Sequence, residues 1–166
     1  ETTPHHLLLS EKQLHDLGSY AKMVPPLRTL RDASSLMEGL RTGTVDVIAS
    51  DHAPHTNQEK ERGFTVAPSG IPGLETMLSL LLTEVSEGRI TLRRLVETMC
   101  ENPSKIFGLK GIGKIAEGYN ADIVVVDLRK EKTICARDFR SKAKYTPFEG
   151  RKVKGVPVLT VVNGLP

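Results

Sequence analysis

Only two cysteines, Cys100 and Cys135, occur in the 166 residues, tryptophan is absent, and aromatic residues make up 4% of the chain. Two thiols exclude a disulfide framework, and without paired cysteines a zinc ribbon is excluded too. A reducing cytoplasm is the default compartment for such a composition. The longest mostly apolar run, around Met77–Leu82, falls far short of the ~20 residues needed to cross a bilayer. No basic n-region followed by an apolar h-region opens the chain, so nothing there argues for secretion. What the sequence does have is a 39% hydrophobic share set in periodic segments, which excludes disorder and low-complexity sequence. The length suits roughly one domain.

The net charge is +3, but between Arg129 and Lys154 ten Lys/Arg face three acids, a local +7 that leaves −4 for the remainder. Such a segment could meet nucleic acid or an acidic partner. The expectation is instead a solvated face of a β-rich stretch. The two aromatics in its second half, Tyr145 and Phe148, flank Pro147 in a turn-like stretch and do not form the interleaved stacking platform that a single-strand binding surface requires, so no nucleic-acid or membrane role is expected.

Along the chain, Ser10-Glu11-Lys12-Gln13 is a capping box and Gly18 a helix stop. Pro25-Pro26 forces extended backbone. Ala33, Leu36, Met37 and Leu40 stand at i, i+3, i+4, i+7, predicting an amphipathic helix ended by Gly43. Val45-Asp46-Val47-Ile48-Ala49 follows at once and reads as a buried parallel strand. Ser50–Gly70 is a polar loop of about 20 residues, a length that is usually functional or disordered. Helices are predicted over Leu74–Glu87 and after Thr91, with a third short turn opened by Asn102-Pro103. From Lys110 the texture becomes β-rich: Ala121–Val126 ended by Asp127, then Thr133-Ile134, a weaker Lys152-Val153, and Val158–Val162. The expected division is therefore an α/β part over residues 1–108 and a β-rich part over 109–166.

The sharpest cluster of chemistry is Ser50-Asp51-His52-Ala53-Pro54-His55, at the C-terminal end of the predicted 45–49 strand. Loops beyond strand C-termini are where parallel α/β folds carry ligand and catalytic groups. Spacing alone leaves open that Asp51 caps a local turn and the histidines are loop surface. Thr3-Pro4-His5-His6 follows an apparent strand end; adjacent histidines on extended backbone diverge and cannot easily share an ion. A catalytic zinc takes about three protein ligands, so neither cluster completes a metal site. The chain has no G-x-S-x-G, no P-loop and no G-x-G-x-x-G. Cys100 reads as a structural thiol.

Thr3-Pro4-His5-His6-Leu7, Pro25-Pro26-Leu27-Arg28, Ser50-Asp51-His52-Ala53-Pro54-His55 and Gly70-Ile71-Pro72-Gly73-Leu74-Glu75 occur in this order. Together they resemble the C-terminal part of a dihydroorotase of the amidohydrolase superfamily. Asn102-Pro103, Ala121-Asp122 and Thr146-Pro147-Phe148-Glu149-Gly150 fit the same pattern. Hydantoinases and allantoinases share the Ser-Asp-His core but usually lack the Ala-Pro-His that follows it.

The resemblance implies an α/β fold: the C-terminal portion of a (β/α)8 TIM-type barrel followed by part of a small β-sandwich. On that map Val45–Ala49 resembles the eighth barrel strand, and the remaining metal ligands would lie upstream of Glu1. The chain then reads as a fragment, inactive by itself. The implied activity is reversible, zinc-dependent ring closure of N-carbamoyl-aspartate to dihydroorotate in pyrimidine synthesis, with one or two zinc ions. Asp51 matches the last metal ligand and proton carrier, His55 a substrate-binding residue, and Ser69 and Gly70 positions whose backbone meets the pyrimidine ring. His5 and His6 match no metal ligand. Val24 departs from the pattern, because the family often carries a substrate-binding Asn before Pro-Pro. That departure keeps a hydantoinase, dihydropyrimidinase or allantoinase reading open. A third reading is a non-catalytic, dihydroorotase-like partner of aspartate carbamoyltransferase; the resemblance also admits a homodimer.

Overall fold

Helix starts in this chain are written by hydroxyl side chains. In the computed structural model, which describes residues 1–166, Thr3 caps α1 (Pro4–Leu8) and Ser10 caps α2 (Glu11–Leu17). Thr29 caps α3 (Leu30–Thr42), Thr56 caps α4 (Asn57–Lys60) and Thr91 caps α6 (Leu92–Val96). At Ser10, Thr29 and Thr56 the third helical residue, Gln13, Asp32 or Glu59, reaches back to the cap N–H and completes a capping box. This reciprocal bonding satisfies two donors that the first turn would leave unpaired. Gly43 ends α3 in the left-handed conformation, as expected. α5 (Leu74–Ser86) has no such residue, since Gly73 precedes it.

Three expectations in the α/β part need correction. The backbone is extended only at Thr3 and turns helical from Pro4, so His5 and His6 lie on a helix. Thr3 accepts the His6 N–H and Pro4 occupies the first helical position, where its missing donor costs nothing. Asn102-Pro103 does not open a separate turn either. α6 runs through a π turn at Glu97–Glu101 into α7 (Asn102–Ile106). Pro103 has no N–H and crowds the carbonyl four residues back, and the Asn102 N–H bonds the Glu97 carbonyl. The Thr98 carbonyl is thereby freed and accepts the Ile48 N–H at 3.1 Å.

The third concerns Val45–Ala49, which forms a single parallel bridge, Thr2 with Ile48, rather than a strand. Thr2 supplies two main-chain bonds, its N–H to Val47 O and its carbonyl to Ala49 N–H, both 2.9 Å. With one short neighbour on one side and a helix carbonyl on the other, the ladder does not propagate.

In the β-rich part, β1 (Ile123–Thr133) pairs antiparallel with β2 (Lys152–Val161), from Ile123–Val161 to Thr133–Lys152. Asp127 does not end β1. Its Oδ1 accepts the Arg129 and Lys130 N–H groups, and the register shifts there as a bulge. The two strands form one sheet, and no second sheet faces it.

The interior divides into two apolar clusters. One joins Leu9, Ala21, Met23, Leu27, Ile71 and Leu80 to Ile134, Phe139, Tyr145, Phe148 and Val153. The other gathers Leu7, Leu40, Ile48, Leu81, Leu82, Ile90 and Leu95. α5 contributes to both. Residues 134–153 thus share a core with residues 9–80. β2 comes so close to α5 that a Cβ on Gly155, where φ is +96°, would lie 2.5 Å from Leu82 Cβ. Gly155→Ala is therefore expected to lower stability by at least ~2 kcal/mol in urea unfolding. Gly150→Ala, at φ +74° but in open space, should cost only the ~1 kcal/mol of left-handed strain.

Candidate functional site

The segment after the Thr2–Ile48 bridge turns sharply at Asp51, whose φ is +45°. Asp tolerates this left-handed conformation better than most residues. The turn leaves the Asp51 carboxylate half exposed, at 50%, with no hydrogen bond from the protein. His5 on α1 is buried, and its Nε2 has no hydrogen-bond partner. It sits 3.7 Å from Asp51 Oδ2. Burial, with the neighbouring His6 ring second, pushes the His5 pKa down to about 3, so the ring is neutral at physiological pH. The His5 and His6 ring centroids are 4.5 Å apart; the helix brings together what extended backbone would have splayed.

His6 is committed to structure. Its Nε2 lies 3.0 Å from the Pro25 carbonyl, which can only accept, so this nitrogen carries the proton. Its Nδ1 takes the Thr3 hydroxyl at 2.8 Å. This fixes the Pro25 backbone, while Val24 beside it is 74% exposed and its side chain offers no polar atom. His52 does what Gly73 cannot: its Nδ1 accepts the N–H groups of Gly73 and Leu74, at 3.0 and 3.3 Å, and caps α5 from outside the helix. Only the fold could reveal that cap.

The Ser50–Gly70 loop is ordered. Its returning arm, Phe64–Gly70, is held by cations on main-chain carbonyls. Lys22 Nζ donates to Phe64 O and Ala67 O at 2.7 Å and to Thr65 O at 3.3 Å. Lys60 Nζ donates to Pro68 O and Gly70 O at 2.9 and 3.0 Å. His55 Nε2–H donates to Ser69 O at 3.0 Å, leaving Nδ1 toward Glu59, 4.0 Å from Oε2. The Tyr145 hydroxyl, from the C-terminal part, accepts the His55 N–H at 3.4 Å. The two loop arms touch: a Cβ on Gly70, at φ +113°, would meet Ala53 Cβ at 2.5 Å, and His52 bridges Ile71. Glycine is required where the arms cross.

His55, Ser69 and Gly70 are therefore joined within a single loop system that Asp51 opens, with Val24 on the neighbouring Pro25 turn. Reading the residues in order missed His52 as a helix cap and both lysines as loop clamps. Asp51 is a carboxylate with free lone pairs at a rigid corner, which suits one metal ligand. No three His, Cys, Asp or Glu side chains gather anywhere in the chain to hold an ion, so it could supply one of the about three protein ligands that a catalytic zinc takes.

A model of the amidohydrolase family matches residues 26–165. The chain belongs to the amidohydrolase family. Among relatives of this amidohydrolase chain, the dihydroorotases of Geobacillus sp. (strain WCH70) and Bacillus cereus (strain G9842) are each 48% identical over 99% of it. The chain spans 38% of the length of either. Among solved structures, L-hydantoinase (dihydropyrimidinase) from Arthrobacter aurescens superposes with a TM-score of 0.93 at 40% identity. D-hydantoinase (dihydropyrimidinase) from Thermus sp. gives 0.92 at 32%. Both cover 98% of the amidohydrolase chain and 37% of the solved one. Family and neighbours together mean a TIM-barrel-type α/β fold.

Burial, with the Lys22 ammonium second, lowers the Lys60 pKa from 10.5 to about 8. Between those values the folded chain binds fewer protons than the unfolded one, so stability rises with pH across that window. Urea unfolding at pH 8 and pH 10 should show the chain gaining stability relative to Lys60→Met. Equal changes in the two proteins would contradict the assignment.

Proposed function

We propose that this chain is the C-terminal part of the (β/α)8 barrel of a dihydroorotase, with residues 1–108 in the barrel and 109–166 in a β-sandwich portion. The whole protein would interconvert dihydroorotate and N-carbamoyl-aspartate in pyrimidine synthesis. The 48% identity to dihydroorotases over nearly every residue carries this reading. Residues 134–153 would belong to the sandwich portion by sequence and to the barrel's core by packing. No helix is long and apolar enough to cross a membrane. A cytoplasmic location is part of the proposal and rests on the two free thiols, which a reducing compartment preserves.

The resemblance implies a zinc with Asp51 as one of its ligands; when bound it would supply a water of lowered pKa and polarise the ring carbonyl. Asp51 would be one ligand and also the base: its half-exposed carboxylate accepts a proton from the attacking water. It returns that proton to the ring nitrogen as the amide C–N bond breaks. In ring closure the transfers run backward. His5, neutral and buried behind Asp51, places no positive charge beside the carboxylate. Gly70 lets the loop arms close, and the Ser69 and Gly70 backbone would meet the planar ring. His55 already spends its Nε2–H on Ser69 O, so it reaches a substrate carboxylate only through a protonated Nδ1.

A second reading, a hydantoinase-type cyclic amidohydrolase, is favoured by Val24, which cannot hydrogen-bond a substrate through its side chain. Turnover by the full-barrel protein separates the two: hydrolysis of hydantoin without dihydroorotate would overturn the first. A non-catalytic partner of aspartate carbamoyltransferase would turn over neither. A homodimer is compatible with each reading.

In the full-barrel protein, Asp51→Asn keeps the side-chain shape and tolerates the left-handed backbone. It is expected to reduce kcat/KM by about a thousandfold or more while the melting temperature changes little. Near-normal turnover would remove Asp51 from its role. The 166-residue chain by itself is expected to bind zinc weakly and to show no turnover, because one carboxylate cannot hold a catalytic metal. Tight stoichiometric zinc in dialysis would contradict that.

A further inference from the structure

Lys60 carries a charge the proposed chemistry does not use. It is 0% exposed, and no carboxylate lies within ion-pairing distance of it. Buried ammonium groups are expensive unless their donors are met. Here two donors meet the carbonyls of Pro68 and Gly70, and the Tyr145 ring lies 5.8 Å away on a further side. The lysine's own backbone is held as well, since the Ser19 hydroxyl donates to the Lys60 carbonyl.

The main-chain polar groups along Ala67–Gly70 are almost all spoken for. The Ala67 carbonyl takes Lys22, Pro68 takes Lys60, Ser69 takes His55 and Gly70 takes Lys60. The Gly70 N–H donates to Lys22 O and the Ala67 N–H to Gly63 O, both at 2.9 Å. Pro68 has no N–H. The Ser69 N–H is the one donor of this arch that bonds nothing in the protein. It stands beside Gly70, which packs on Ala53, two residues after Asp51.

We propose that Lys60 is a positioning residue for substrate: its ammonium holds the Pro68–Gly70 arch in the shape that presents the free Ser69 N–H to a carbonyl of the cyclic amide. This rests on the reading above, that the arch meets the ring. An ammonium suits the task because one compact charge bonds two carbonyls of the same arch at once. An apolar side chain there would fill space and leave both carbonyls without their donor. The arch would still close on Ala53, but its peptide planes could rotate and the Ser69 N–H would lose its aim.

The test has two arms. In the first, NMR of the 166-residue chain looks for scalar couplings from Lys60 Nζ to the carbonyl carbons of Pro68 and Gly70. It also follows amide exchange in Lys60→Met, where the Gly70 N–H is expected to exchange faster while that of Ile48 keeps its protection. Absent couplings, or unchanged Gly70 exchange in the folded variant, would overturn the clamp whatever the enzyme's substrate is. In the second, the full-barrel protein carrying Lys60→Met is assayed with dihydroorotate. KM should rise about ten- to a hundredfold while kcat stays within about threefold and the zinc content is unchanged. A purely structural lysine would lower the melting temperature and leave KM alone, and that result would overturn the positioning role. If the unsubstituted enzyme turned over hydantoin instead, the substrate reading would fail, and the same KM split on hydantoin would decide the clamp.

Discussion

Helix α5 lies between the two apolar clusters, with Leu80 in one and Leu81 and Leu82 in the other, and its first turn is capped by His52 from another segment. Everything near Asp51 inherits its position from this arrangement. Burial on both sides denies the helix freedom to shift, since an interior packed at crystal density does not deform continuously. The cap then ties the 50–55 segment to the helix N-terminus. At the other end, Glu84 is fully buried against the Arg89 guanidinium and lies 3.6 Å from Arg151. The same helix thus joins the β-rich part through a charge that could not stay buried unpaired.

A second theme is the use of cations on main-chain carbonyls. Lys22 and Lys60 hold the returning arm of the loop, and Arg94 reaches the Leu40 carbonyl at 2.7 Å and also bonds that of Val45. In the loop the lysines replace a missing ladder, and at Leu40 the arginine meets a carbonyl in the last turn of α3, which has no partner within the helix. A loop of about 20 residues becomes a defined surface in this way without a core of its own. The π turn at Glu97–Glu101 works in the opposite direction, freeing the Thr98 carbonyl for Ile48.

Asp51 and His5 show how position divides two titratable groups. The carboxylate faces outward at a left-handed corner, and the imidazole is sealed behind it with a strongly lowered pKa. The imidazole stays neutral because burial disfavours its charged form, while the carboxylate is open to solvent. That division is what the proposed proton transfer at Asp51 needs.

Local chemistry was legible in the order of residues. Ser10 with Gln13, Thr91, Gly18 and Gly43 mark helix ends because their hydrogen bonds and backbone angles involve neighbours only a few residues away. The run Ser50–His55 and its companion motifs marked the loop that carries the candidate site. The failures fell where a distant partner decides. Whether Val45–Ala49 becomes a strand depends on what lies beside it, and Thr2 offers a single bridge. Whether Thr3–His6 is helix or extended turned on one cap. That His52 caps a helix, that Lys60 serves two carbonyls eight and ten residues on, and that Tyr145 reaches His55 follows from chain segments meeting in space. The sequence alone determined which residues could cap, turn, bind or carry charge, because these are properties of side chains and short spacings. Only the tertiary structure decided which of them face one another, because burial and hydrogen-bond satisfaction are settled between segments far apart in the chain.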